Sequence, residues 1–264
     1  MGELSFIGMG LQDENGLTLR GLNTARKADE VYVEVYTSIM PRLSVQNLQR
    51  LVGKEVGILA RKDLEEDAEN IILSKAKQRH VALLTPGDPM SATTHTGLLL
   101  SARKLGIQTN LIHSASIVTA AAGVTGLELY KFGRTVTIPS PATNRVPESA
   151  YRFIQENKRM GLHTLILLDI TDGPLTIPNA IHILLRLENT IEAGVVSDDT
   201  MLVALARVEA SDCIVRAGKA SDLAKCDFGD PPYSMILPGK LHFVESEALH
   251  VLAGAPRDIL EGRE

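Results

Sequence analysis

The stretch "VALLTPGDPMSATTH", residues 81–95, decides the fold of this chain. Its first five residues are rich in branched apolar side chains and favour a buried strand. An abrupt polar turn follows, in which Asp88 stands between Pro86 and Pro89, and Ser91 then precedes a helix-patterned run. A strand that ends in a tight turn before a helix is typical of α/β sheets, which bind ligands beyond the carboxyl ends of their strands.

Similar units surround this stretch in the first half of the chain. β-rich runs lie at residues 4–9, 31–36, 81–85 and 107–112. Helix-patterned stretches separate them near residues 18–29, 65–79 and 92–105. Thr18 is suited to cap the first of these helices, and Gly106 is suited to end the last. The alternation predicts a parallel sheet in an N-terminal α/β domain, residues 1–113.

The pattern changes after residue 113. Residues 114–146 read as a small-residue helix followed by a Gly- and Pro-punctuated passage, which we interpret as the hinge between two domains. Beyond it lie helix-patterned stretches near 147–160 and 178–192, and β-rich runs at 164–170, 200–208, 213–218, 233–239 and 241–245. The close spacing of these runs predicts a mixed or antiparallel sheet in a C-terminal α/β domain, residues 114–264.

The composition excludes several classes of protein. The chain has 264 residues, of which 44% are hydrophobic, and a formal net charge of -5. We therefore expect a sizeable core and no direct action on nucleic acid, which needs clustered Lys and Arg. Two cysteines, Cys213 and Cys226, are too few for a disulfide framework and indicate a reducing cytosol. No stretch approaches the roughly eighteen apolar residues of a membrane span, so we expect a cytoplasmic protein.

Glycines after the first strand leave two interpretations open. Gly8 and Gly10 stand where a dinucleotide-binding G-x-G-x-x-G would begin, but Asp13 replaces the third glycine, which excludes a nicotinamide site. The two glycines either bring the backbone close to a ligand or form a tight turn. The chain has no G-x-S-x-G, no H-E-x-x-H and no Walker lysine. Its scattered histidines favour structural roles.

Six runs of sequence carry a resemblance to a known family. In chain order they are "FIGMGL" at 6–11, "EVYTS" at 34–38, "GDPMSATTH" at 87–95, "GLELYKFG" at 126–133, "HTLILLDI" at 163–170 and "ALARVEASD" at 204–212. Together they resemble the diphthine synthase family, within the tetrapyrrole methylase-like class of S-adenosylmethionine (SAM) methyltransferases. The resemblance implies two α/β domains with SAM in the cleft between them.

The resemblance also implies which residues bind SAM. By matched position these are Leu11, Asp88, Ser91, Ser116, Ile117, Leu168, Val208 and Tyr233. Most are apolar, so we expect them to offer backbone N–H and C=O groups while packing against the adenine and methionine parts. We expect the Asp88 carboxylate to face the cleft, so that its loss costs SAM affinity more than stability. Tyr233 departs from the family, which often has histidine at this position.

The implied reaction is methylation of a modified histidine on translation elongation factor 2. SAM would methylate the amino group of the 3-amino-3-carboxypropyl-histidine up to the trimethylammonium form, leaving S-adenosylhomocysteine and requiring no metal. The amine must lose its proton to attack, and Glu34, Asp169 and Tyr36 are candidates for a base, none of which we assign as catalytic. The family also implies a homodimer, for which "VYVEVYTSIM" and "LELYKF" offer apolar, tyrosine-bearing surface.

Two other functions stay open at this point. One is a methyltransferase of the same fold that acts on a small tetrapyrrole, which would leave elongation factor 2 unmethylated. The other is a non-catalytic binding module, which would show no affinity for SAM.

Overall fold

The computed structural model describes residues 2–140 and 148–260, and it divides into two compact units. The units are Met1–Ile117 and Val118–Glu264. Each contains a five-stranded sheet, which confirms the predicted α/β class. The end of the predicted hinge passage and the first residue of the predicted helix near 147–160 lie outside the described residues.

The first unit is built on a wholly parallel sheet. Its strands are β1 Glu3–Gly8, β2 Glu30–Glu34, β3 Val56–Leu59, β4 His80–Thr85 and β5 Gln108–Ile112, in the order β3-β2-β4-β1-β5. Its α-helices are α1 Leu19–Lys27, α2 Val45–Val52, α3 Arg61–Glu65, α4 Ser74–Ala76 and α5 His95–Lys104, and a π-helix, Glu69–Leu73, directly precedes α4. Strand β3 and helix α2 are not predicted by the sequence pattern. Because all strands run the same way, their carboxyl ends share one edge of the sheet.

Both faces of this sheet are buried. Phe6 and Leu83 belong to a cluster on one face, and Ile7 and Leu84 belong to a cluster on the other. Neighbouring residues along a strand point to opposite faces, so a strand covered on both sides must be apolar at nearly every position. This explains why the sequence shows continuous apolar runs here rather than alternation.

The second unit contains a mixed sheet. Its strands are β6 Val136–Ile138, β7 Thr164–Leu168, β8 Met201–Ala206, β9 Ile214–Lys219 and β10 Tyr233–Leu237, in the order β6-β7-β10-β8-β9. Only the β6–β7 pair is parallel among these strands. The helices from the boundary onward are α6 Ile117–Thr125, α7 Ser149–Arg159, α8 Ile177–Ile191, α9 Ala220–Leu223, α10 Phe243–Ala253 and α11 Arg257–Leu260. None of the helices described in either unit is both long and apolar enough to cross a membrane.

The predicted strand at 241–245 is wrong. The segment instead begins helix α10, with His242 as N-cap, and the Glu245 carboxylate accepts a 2.8 Å hydrogen bond from the His242 N–H. The same carboxylate pairs with the side chains of His163 and Lys131. These partners lie far away in sequence, so the alternating pattern of "LHFVE" could not reveal them.

Candidate functional site

The candidate residues of the first unit lie beyond one edge of its sheet. In the sheet register Gly8 pairs with Thr85, and Ile7 pairs with Ile112. The loops that follow β4, β1 and β5 therefore leave the sheet side by side. Asp88 and Ser91 follow β4, Leu11 follows β1, and Ser116 follows β5, directly before Ile117 begins helix α6. Residues that are separated by about a hundred positions in sequence thus share the edge where α/β sheets bind ligands.

The glycines after β1 allow two loops to approach each other. Gly10 and Gly87 exchange backbone hydrogen bonds, with N–O distances of 3.2 and 2.7 Å. A Cβ placed on Gly8 would lie 2.5 Å from the Gly87 carbonyl oxygen. Gly10 has a φ of +76°, which L side chains rarely adopt. Contact between the loops therefore accounts for both glycines without a ligand.

Asp88 is held by its own surroundings. One carboxylate oxygen accepts hydrogen bonds from the Met90 N–H at 2.9 Å and the Ser91 hydroxyl at 3.2 Å. The other lies 2.7 Å from Nδ1 of His113 and accepts a longer bond from the Ser114 N–H. Asp88 is only 8% exposed. Because the carboxylate joins the loops after β4 and β5, we expect its removal to lower stability as well.

Asp88 is nevertheless an ionised group at neutral pH. Burial alone would raise the pKa of its carboxyl, but the bonds from Met90 and His113 outweigh burial and hold that pKa below its ordinary value. Nearby, the Thr85 hydroxyl is buried and has no hydrogen-bond partner among the described residues. A Cβ built on Gly87 would have its nearest neighbour, the Ala115 carbonyl oxygen, 3.9 Å away. The turn thus combines a negative charge with free space beside Gly87, and the strand before it ends in a buried hydroxyl without a partner among the described residues.

The other candidates of this unit differ in exposure. Ser116 is buried, whereas Leu11, Ser91 and Ile117 are partly exposed. Ser91 is engaged with Asp88, as described above. Three of these four residues therefore retain surface that a ligand could cover.

The candidate residues of the second unit also gather at one sheet edge. Leu168 ends β7, Tyr233 begins β10, and Val208 lies just beyond β8. Tyr233 pairs with Ala206 of β8, and the next residue, Ser234, pairs with Leu167 of β7. Because adjacent strands lie about 4.8 Å apart, the three candidates fall within roughly 10 Å across the sheet.

Tyr233, the departure from the family pattern, is bound locally. Its hydroxyl donates a hydrogen bond to the Gly229 carbonyl. Burial raises the pKa of the phenol above its ordinary value, so the side chain stays neutral at physiological pH. Leu168 and Val208 are both buried.

The three candidate bases are poorly suited to take a proton. The Asp169 carboxylate accepts bonds from the backbone N–H groups of Ser140 and Thr171 and from the Thr171 hydroxyl. Burial raises the pKa of this carboxyl, but the hydrogen bonds outweigh burial and hold that pKa below its ordinary value. Glu34, fully buried, accepts bonds from the Tyr36 and Thr37 N–H groups. Burial raises the pKa of Tyr36. We therefore find no reason to assign any of them as catalytic.

The sequence patterns did not identify two residues near the candidate sites, His113 and Arg207. The sequence pattern favours a structural role for His113, but its contact with Asp88 places it directly at the candidate edge, where its side chain is 66% exposed. Arg207 directly follows the apolar strand β8 and is buried. A charged residue inside an apolar run is the signal that could have pointed to it. Within residues 2–140 and 148–260, no three His, Cys, Asp or Glu side chains are grouped to hold a metal ion.

Comparison with known proteins identifies the family. The family model "Tetrapyrrole (Corrin/Porphyrin) Methylases" matches residues 3–221. The diphthine synthase of Methanothermobacter thermautotrophicus is 42% identical over 261 residues, which cover 98% of each chain. The chain belongs to the diphthine synthases of the tetrapyrrole methylase family. The diphthine synthase of Methanocaldococcus jannaschii is 41% identical over 254 residues, 94% of this chain and 98% of that protein.

Two solved structures have the same fold as this chain. A crystal structure of diphthine synthase superimposes with a TM-score of 0.88 at 37% identity, covering 98% of both chains. A conserved hypothetical protein from Aeropyrum pernix K1 superimposes with a TM-score of 0.87 at 31% identity, covering 100% of this chain and 95% of that one. The similarity therefore extends through both units.

Proposed function

We propose that this chain is a SAM-dependent methyltransferase with diphthine synthase activity in the cytoplasm. It methylates the amino group of 3-amino-3-carboxypropyl-histidine on translation elongation factor 2, up to the trimethylammonium form. The observation that carries the proposal is the identity of about 42% to proteins named diphthine synthase over nearly the whole chain. The alternative of a small tetrapyrrole substrate is not favoured, since these full-length relatives bear the diphthine synthase name.

The residues at the two sheet edges suit SAM as cofactor. The edge of the first unit offers the ionised Asp88 carboxylate, the unpartnered Thr85 hydroxyl and the space beside Gly87. A carboxylate and a hydroxyl are suited to the ribose hydroxyls and amino group of SAM. When bound, SAM supplies the activated methyl group. We propose that Leu11, Ser91, Ser116 and Ile117 complete this part of the site.

The edge of the second unit provides an apolar surface. Leu168 and Val208 offer backbone groups and buried aliphatic side chains, and Tyr233 adds a neutral ring. Such a surface suits an adenine ring and excludes water from it. Because Asp169 and Glu34 are engaged by their own loops, we assign the proton of the attacking amine to solvent rather than to either carboxylate.

One assay tests the function directly. The protein is mixed with labelled SAM and elongation factor 2 carrying the 3-amino-3-carboxypropyl-histidine precursor, and the factor's mass is followed. We expect label to enter the factor in successive methyl additions, and factor lacking the precursor to remain unlabelled. SAM binding without any transfer to the factor would point to the tetrapyrrole alternative. Absence of SAM binding by calorimetry would point to a non-catalytic module.

We also propose that the chain forms a homodimer through an apolar surface of the second unit. Leu129, Tyr130, Phe243 and Val244 are about half exposed or more, with Tyr130 at 82%. Leu129 and Tyr130 lie in the turn that ends at Lys131, and Phe243 and Val244 begin helix α10. The bond from Lys131 to Glu245 holds this turn next to the start of α10. We expect sedimentation at micromolar concentration to give about twice the 28.6 kDa chain mass.

A paired substitution tests where the dimer forms. Tyr130→Asp with Phe243→Asp should shift the protein to the monomer mass, because charges at the centre of an interface oppose burial. The matched control is Leu19→Asp on helix α1, a similarly exposed apolar residue of the first unit, which should leave the dimer intact. A wild-type chain that sediments as a monomer contradicts the proposal.

A further inference from the structure

A buried guanidinium belongs to Arg207, which lies between the last residue of β8 and the candidate Val208. Arg207 follows the last residue of β8, and its side chain is only 7% exposed. A buried arginine is costly unless its N–H groups are bound by acceptors. We therefore expect the N–H groups of the Arg207 side chain to be bound by acceptors nearby.

The guanidinium connects two separate loops. Towards the loop after β8, Nε donates to the Asp212 carboxylate at 2.7 Å, and Nη2 donates to the Asp212 carbonyl at 3.1 Å. Towards the loop before β10, Nη1 donates to the carbonyls of Phe228, at 2.7 Å, and Asp230. One rigid planar group thus fixes the spacing between these loops.

The backbone of Arg207 strengthens the same connection. Its N–H donates to the Pro232 carbonyl at 3.0 Å, directly before Tyr233. Arg207 and Glu209 both have left-handed φ angles, of +49° and +73°, which L side chains rarely adopt. Val208 lies between these two residues. Its position therefore depends on a backbone shape that the side chain of Arg207 helps to hold.

The guanidinium also packs close to the partner of Tyr233. A Cβ placed on Gly229 would lie 3.2 Å from Nη2 of Arg207, and the Gly229 carbonyl accepts the Tyr233 hydroxyl bond. The guanidinium therefore lies next to the residue that binds the Tyr233 hydroxyl, and Val208 directly follows Arg207 in the chain. The positions of Val208 and Tyr233 can therefore depend on the guanidinium even without direct contact with it.

We propose that Arg207 is a positioning residue for SAM, which sets the two loops that carry Val208 and Tyr233. The proposal rests on the proposed function, since it assigns those two residues to the SAM site. Lysine cannot substitute, because an ammonium is a compact charge with three donors, whereas the four acceptors here match the planar fork of arginine. Removing the guanidinium should therefore weaken SAM binding more than it weakens binding of the protein substrate.

The test compares Arg207→Lys with Asn157→Ala. Asn157 is also buried in the second unit, where it bonds to the Arg134 backbone and the Thr164 hydroxyl at the opposite end of β7. We expect both variants to melt at lower temperature. We expect only Arg207→Lys to weaken SAM binding in calorimetry, by at least about tenfold. In turnover it should raise KM for SAM while leaving KM for the elongation factor within about twofold of wild type.

The outcomes separate this proposal from the function on which it rests. A wild-type chain that binds no SAM overturns both. If wild type binds SAM and Arg207→Lys keeps the wild-type Kd, or loses no more affinity than Asn157→Ala, the positioning role alone is overturned. If Arg207→Lys does not fold, Asp212→Ala decides, since it removes one acceptor from a half-exposed side chain. We expect that variant to weaken SAM binding severalfold, and unchanged binding would overturn the proposal.

Discussion

Replacing Glu245 with alanine is expected to lower the free energy of unfolding by about 3 to 5 kcal/mol. The Glu245 carboxylate is fully buried and accepts bonds from the Glu128 N–H at 3.0 Å and the His242 N–H at 2.8 Å. It also pairs with Lys131 and, at 2.9 Å, with Nε2 of the fully buried His163. Removing the carboxylate would leave these donors without an acceptor and the lysine charge without its partner.

Urea unfolding of wild type and Glu245→Ala measures this loss. The matched control is Glu247→Ala, on the same helix but exposed, which should change stability by no more than about 0.5 kcal/mol. The binding of SAM should persist in Glu245→Ala at temperatures where the variant is folded, because the proposed SAM residues lie elsewhere. Equal stability of the two variants would show that the buried network contributes nothing.

The same network predicts how stability depends on pH. Burial opposes ionisation of Glu245, but the bonds from Lys131 and the backbone lower the pKa of its carboxyl from 4.5 to about 2. As the pH falls, the unfolded chain therefore takes up a proton at this carboxyl near pH 4.5, whereas the folded chain does so only near pH 2. The contribution of Glu245 to stability is thus complete above about pH 4.5 and is lost towards pH 2. Burial also lowers the pKa of His163, which adds a loss of stability as the pH falls below 6.5. Glu245→Gln should therefore flatten the stability curve between about pH 4.5 and 2.

Replacing Asp88 with alanine is expected to impair both SAM binding and stability. We expect SAM affinity to fall at least about tenfold, through loss of charge-assisted hydrogen bonds to the cofactor. We expect the free energy of unfolding to fall by about 1 to 3 kcal/mol, because the partly buried Met90 N–H and the Ser91 hydroxyl lose their acceptor. Calorimetric titration with SAM and a urea unfolding curve measure the two effects separately.

His113→Ala is the control that separates direct contact from support of the turn. It removes one partner of Asp88 while keeping the carboxylate, and the exposed imidazole contributes little packing of its own. If Asp88 contacts SAM directly, His113→Ala should keep SAM affinity within about threefold of wild type. If Asp88→Ala loses stability but no affinity, Asp88 is only a structural residue of the turn, and the proposed position of the SAM site is wrong.

Local signals in the sequence predicted most elements of the fold. The buried strands of the first unit are continuous apolar runs, and Thr18 caps helix α1 through a 3.0 Å bond from the Gly21 N–H. Gly106 has a φ of +72° just after helix α5, as its position at the helix end predicts. These features depend on residues close together in the chain, so the sequence by itself determined them. The sequence pattern missed the short strand β3, and at 241–245 the alternation favoured a strand although His242 and Glu245 cap the start of helix α10.

The partners of buried polar groups were decided only by the tertiary structure. Asp88 stands in a turn that the sequence identifies, yet its carboxylate is held by His113 and Ser114 from a different loop. Arg207 likewise binds Phe228, 21 residues away, and Glu245 binds His163, 82 residues away. A buried charge must find acceptors or donors wherever the packed chain places them, because water is excluded there. The sequence by itself therefore determined the α/β class and predicted the sheet edges at which we propose that SAM binds, whereas the folded chain decided which side chains are held at those edges.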